Sequence, residues 1–111
     1  MPAKYRLSRT DFTRMRGFKR VHGTLFSLSF GSIPERAVPG AACVVSAKTA
    51  ARATTRNGIK RRCRAALLPV MRDLKSPFVL VVIAKKSAAG ASAADVREEI
   101  SLLARKAGII S

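Results

Sequence analysis

From Phe78 to Ala84 every position is apolar, and Pro77 and Lys85-Lys86 bound the run. A short unbroken run of this kind predicts a strand covered on both faces, and therefore a central one. Upstream, Ile59, Cys63, Ala66, Leu67, Val70, Met71 and Leu74 recur at helical spacing and predict a helix from about Arg56, capped by Thr54 or Thr55. Pro69 falls inside it, where a lost hydrogen bond and a ring clash predict a kink or a fresh helical turn. Leu25, Phe26, Leu28 and Phe30 partly alternate with Ser27 and Ser29, which predicts a half-buried strand from Thr24 to Gly31. The β-branched pair Val44-Val45 centres another strand from about Ala41 to Ala47. Ser8 with Asp11, and Ser92 with Asp95, have capping-box form. They open a short first helix ending near Arg16 and a last helix with Val96, Ile100, Leu103 and Ala107 inward. The resulting order, α-β-β-α-β-α, predicts an α+β sandwich in one domain over residues 1–111, a small sheet packed against helices. If the last two strands are parallel, the long helix between them is a crossover.

Charge then narrows the function. The 111 residues include 22 Lys or Arg against 6 Asp or Glu, a formal net charge of +16. An apolar fraction of 48% suffices for a packed core, so the excess is not that of a disordered basic tail. Its field attracts phosphates, whether of RNA, DNA or anionic lipid. Residues 1–22 hold seven bases against Asp11, and residues 48–75 hold nine against Asp73. The charge is therefore localised in two segments and nearly balanced elsewhere. The longest apolar run is far below the roughly 20 residues needed to span a bilayer. Arg9, Arg14 and Arg16 stand where a secretory leader would be apolar, so no export is expected. Cys43 and Cys63 with the single His22 fall short of a disulfide framework or a structural zinc site, and a reducing, cytoplasmic setting is expected.

The densest feature is Arg56-Asn57-Gly58-Ile59-Lys60-Arg61-Arg62-Cys63-Arg64. At about 100° per residue, Arg56, Asn57, Lys60 and Arg64 fall in one strip beside the Ile59 and Cys63 stripe, with Arg61 next to them. Packed stems and fork-shaped guanidinium heads suit such a strip to phosphate oxygens. A merely solvated helix face mixes charge signs, whereas the only acid between Asp11 and Asp73 is Glu35.

Arg-Asn-x-x-Lys-Arg-x-x-Arg, preceded by Val45-Ser46-Ala47-Lys48 and a small-residue segment ending in Ala53, resembles the signature of the bacterial ribonuclease P protein component. Arg6-Leu7 followed by Asp11-Phe12, the Phe78 to Ala84 strand and the final amphipathic helix extend the resemblance over nearly the whole chain, in order. It implies the fold of the second domain of ribosomal protein S5, with a left-handed β-α-β crossover against the usual preference. It also implies a role beside a catalytic RNA that removes the 5′ leader of precursor tRNA. Arg56, Asn57, Lys60, Arg61 and Arg64 would face that RNA. A cleft between the first helix and the sheet would take the leader, with Phe12 and Phe26 matching its aromatics and Lys48 contributing charge. Arg16 stands where the family commonly has a second aromatic, and Ser29 replaces another on the strand. One residue also appears inserted between Lys48 and Ala53.

Several residues admit plainer readings. Phe12 could close the first helix onto the sheet, Phe26 suits the core, and Cys43 and Cys63 read as buried small hydrophobes. His22 has no companion at catalytic spacing, and Asp95, Glu98 and Glu99 suit the dipole of the last helix. No nucleophile, phosphate-binding glycine loop or carboxylate pair is evident, so catalysis and its magnesium ions would belong to the RNA, with no cofactor or small-molecule substrate for the protein. The alternative is a basic structural protein of another ribonucleoprotein, such as a ribosomal protein. It accounts for the charge but not for the ordered motifs. Membrane-surface binding would need an exposed bulky apolar helix face, and the basic helix spends its own on the core.

Overall fold

In the computed structural model, which describes residues 1–75 and 77–110, the apolar run lies inside a four-stranded sheet. The elements are helix α1 (Arg9–Arg14), strands β1 (Arg16–His22), β2 (Phe26–Ser32) and β3 (Gly40–Val44), helix α2 (Ala53–Asp73), strand β4 (Phe78–Ala84) and helix α3 (Ala93–Lys106). Short 3-10 turns occupy Ala3–Tyr5 and Lys86–Gly90. Spatially the strands run β1-β2-β4-β3. The β3–β4 pair is parallel and joined by α2, while β1–β2 and β2–β4 are antiparallel. The expected crossover is therefore made by the basic helix.

Alternation along the strands sends side chains to two unlike faces. On one, Phe26, Leu28, Leu80, Val82 and Ala84 pack with Ile59, Cys63, Leu67 and Met71 of α2 and with Val96, Ile100 and Leu103 of α3. This is the main core. On the other, a smaller cluster of Leu7, Met15, Ile33, Val79 and Val81 anchors the N-terminal segment. Helix α1 buries none of its own residues. It is held by Leu7 and Met15 on either side, and by polar contacts. Ser8 and Asp11 form the expected capping box, with the Ser8 N–H donating to Asp11 Oδ2 at 2.7 Å and the Asp11 N–H to Ser8 Oγ at 3.2 Å. Arg36, from the β2–β3 loop, pairs with Asp11 at 3.2 Å and donates to the carbonyls of Lys4, Val38 and Pro39.

The β1–β2 turn is tied to residues more than 60 positions away in sequence. The Glu99 carboxylate of α3 accepts from the backbone N–H groups of Thr24, Leu25 and Phe26 at 2.7 to 3.0 Å. Ser87 donates to the Thr24 carbonyl and Lys85 to that of Gly23. Glu99 thus does more than offset a helix dipole: it satisfies donors that a tight turn leaves unpaired.

The α+β class holds, and β1 is an addition to the expected order, which becomes α-β-β-β-α-β-α. The first helix stops at Arg14, and Arg16 begins the new strand. A bulge between Arg16 and Lys19 inserts one residue into β1, and Gly17 there has φ of 68°, a conformation that favours glycine. Strand β3 ends at Val44, three residues short of its expected limit. Helix α2 begins at Ala53 with Arg52 as N-cap and no side-chain cap, so neither Thr54 nor Thr55 plays that part. It runs through Pro69 as one helix; Pro69 is exposed, which leaves the unpaired carbonyl one turn back accessible to water.

Candidate nucleic-acid interface

Helix α2 packs its Ile59, Cys63, Leu67 and Val70 stripe inward and leaves the basic strip along one border. Asn57, Arg61 and Arg64 are exposed, and Arg56 and Lys60 half-buried. Among the described residues, none of the five takes part in an ion pair. Arg56 differs from the rest, since its Nη1 donates to the carbonyls of Ala50 and Ala51 at 2.9 and 2.8 Å. That guanidinium secures the β3–α2 connection and sets the entry angle of the helix. Arg62, in the same run, turns to the other border, where its Nε is buried with no hydrogen-bond partner among the described residues.

Opposite the helices, the sheet presents two cross-strand rows whose members follow from the register. One is His22, Ser27, Ile83 and Val44; the other is Arg20, Ser29, Val81 and Ala42. The β1–β2 half is polar, with Arg20 Nε donating to Ser29 Oγ at 3.0 Å and His22 Nδ1 lying 3.0 Å from Ser27 Oγ. The β4–β3 half is apolar. At its border a groove of about 240 Å³ is lined by Arg6, Phe12, Ala42, Cys43, Val44 and Arg64, among others. Phe12 is 40% exposed there.

This groove joins what the sequence kept apart. Phe12 from α1 and Arg64 from α2 approach from opposite sides of the edge strand β3, so the expected leader cleft and the expected RNA-facing helix adjoin. Three other expected cleft residues lie elsewhere. Phe26 is 1% exposed in the core against the helices, because even-numbered positions of β2 point away from the cleft. Arg16 is not one helical turn beyond Phe12: it begins β1, paired with Ser32 of β2, at the opposite edge of the sheet from β3, roughly 14 Å across at the usual strand spacing. Lys48 is exposed in the turn after β3, where the Thr49 N–H donates to the Ser46 carbonyl at 3.1 Å, and not on the sheet.

Arg20 and His22 on the cleft face were missed as binding candidates because β1 was missed. Their signal was the alternation of Arg20 and His22 about Val21, the one half-buried residue of β1. Among the described residues no group of three or more His, Cys, Asp or Glu is placed to hold a metal ion. Among the described residues no helix is long and apolar enough to cross a membrane.

The fold has close structural counterparts. The RNase P protein of Staphylococcus aureus superposes with a TM-score of 0.83 at 21% identity, covering 96% of this chain and 98% of that one. That of Thermotoga maritima superposes with a TM-score of 0.72 at 27% identity, covering 90% and 96%. No curated protein matches the chain significantly in sequence. The family model described as Ribonuclease P matches residues 1–108, all but the last three positions. With that match added to the ordered motifs and the fold, the chain belongs to the ribonuclease P protein family.

Proposed function

We propose that the chain is the protein subunit of ribonuclease P, which binds the catalytic RNA through α2 and the 5′ leader of precursor tRNA through the open sheet face. The observation that carries the reading is the acid-free strip of Asn57, Lys60, Arg61 and Arg64 beside the groove at Phe12, in a chain of this family. A strip without internal ion pairs keeps its full charge for phosphates, and binding there releases counterions. The groove offers one exposed aromatic face, Phe12, and an apolar floor for unstacked bases. Across the same sheet face, toward its other edge, Arg20, His22 and the serines add donors for backbone or base edges. On this reading the protein contributes binding and orientation in the cytoplasm, while endonucleolytic hydrolysis and its magnesium ions are the RNA's.

Reconstitution tests it. With the cognate catalytic RNA at low magnesium, the protein is expected to restore cleavage of the 5′ leader from precursor tRNA. RNA binding without restored cleavage would instead favour a structural role in another ribonucleoprotein. Cleavage by protein freed of RNA would overturn the division of labour.

A further inference from the structure

Cys43 and Cys63 are 20 residues apart in sequence and the RNA-binding reading gives neither thiol group a role, yet their sulfurs lie 2.8 Å apart. Both are free thiols. We infer that they form an oxidant-reactive dithiol, a modification site that a peroxide entering the groove beside Phe12 converts to an intramolecular disulfide.

The two sulfurs are supplied by elements already fixed against each other. Cys43 pairs with Val82 in the sheet and points to the α2 side, while Cys63 sits on the buried stripe of α2. A disulfide needs the sulfurs at about 2.05 Å, so less than 1 Å of closure between them is required. Access is asymmetric. Cys43 is half-buried and lines the groove, whereas Cys63 is 1% exposed behind it. The contact with Cys43 and burial both push the Cys63 thiol up, which keeps it protonated and leaves Cys43 to meet the oxidant.

The chemistry balances with one peroxide per protein. The Cys43 sulfur attacks hydrogen peroxide, the O–O bond breaks, and sulfenic acid and one water form. The Cys63 sulfur then attacks the Cys43 sulfur; the S–O bond breaks, and the hydroxyl leaves with the thiol proton as a second water. Two thiols are oxidised and one peroxide is reduced. The bond closes the loop from Cys43 to Cys63 and fastens edge strand β3 to α2, the helix that carries the basic strip.

The test uses the whole chain without RNA, so its outcome is independent of the proposed function. After equimolar hydrogen peroxide, the intact mass is expected to fall by about 2 Da as both thiol hydrogens leave, and alkylation in denaturant to modify neither cysteine. The melting temperature is expected to rise by roughly 10 °C from closure of a loop of this length. Dithiothreitol should reverse all three changes. Cys43→Ser, at the half-buried position, should retain the fold and show neither the mass loss nor the melting shift. The inference is overturned by thiols that remain alkylatable, by oxygen adducts without hydrogen loss, by intermolecular disulfide dimers, or by an equal melting shift in Cys43→Ser.

Discussion

Removing Lys60, Arg61 and Arg64 together to alanine separates charge from fold more cleanly than any change that includes Arg56. The three have no ion-pair partner among the described residues, and two are exposed, so truncation leaves no buried charge orphaned. Exposed substitutions of this sort shift stability by about 0.5 kcal/mol or less each. Their effect on RNA is of another order. Each phosphate contact contributes about 0.7 to 0.9 to the slope of log K against log salt, so losing three lowers the slope by about 2 to 3. Referred to 1 M salt, where counterion release vanishes, the penalty at 0.1 M is roughly 100- to 500-fold, and it shrinks about 20- to 40-fold between 50 and 200 mM. Binding of the cognate catalytic RNA, followed by fluorescence anisotropy across that range, reads both slope and affinity, with thermal melting of the free protein as the control. A variant that melts like the parent and keeps its slope would refute the assignment of α2 to the RNA.

Other residues give contrasting signatures. Arg56→Ala loses two charged hydrogen bonds to the Ala50 and Ala51 carbonyls, so it should lower stability by about 1 to 3 kcal/mol in chemical denaturation as well as weaken RNA binding. Phe12→Ala should weaken precursor relative to mature tRNA by roughly 5- to 150-fold in the reconstituted enzyme, the value of about 1 to 3 kcal/mol per stacked base. Phe26→Ala should cost about 3 to 5 kcal/mol of stability with no such selectivity, because its ring is in the core. Glu99→Gln exchanges an acceptor oxygen for an amide facing the backbone donors of residues 24 to 26, an expected loss of about 1 to 3 kcal/mol by denaturant titration. The Ser8 N–H, with smaller help from the Ser8 hydroxyl, Arg36 and Arg14, holds the Asp11 carboxyl below the usual carboxylate range against a partial opposing effect of burial. A depressed folded value means stability present above about pH 3.9 and lost as pH falls through the lower value; melting from pH 5 to pH 2 should show that acid limb, and Asp11→Asn should flatten it.

How far the fold was legible depends on what each element buries. Strand β4 was plain because both its faces are covered, which removes the need for any alternation. Helix α3 announced itself through Ser92 and Asp95, whose reciprocal bonds are local and need no tertiary knowledge. Strand β1 was hidden because six of its seven residues are exposed, so an edge strand reads as a polar loop. The start of α2 was misplaced because its first turn depends on Arg56 reaching back to the preceding loop, a contact made across five and six residues that no capping rule anticipates.

The site divides along the same line. The basic strip could be found from spacing, since five residues of one helix share a face whatever the helix packs against. The cleft could not, because its membership depends on strand order and pleat. One residue of register moves Phe26 from the cleft to the core and puts Ser27 and Ser29 in its place. Strand order does the rest: β3 at the edge brings Phe12 beside Arg64, and β1 at the other edge takes Arg16 away from both. The two charged segments, counted separately along the chain, therefore each bring one base, Arg6 and Arg64, to the groove at β3. A single RNA strand running along that edge would meet the aromatic of α1 and the cations of α2 in succession, which is how a net charge of +16 acquires direction on this molecule.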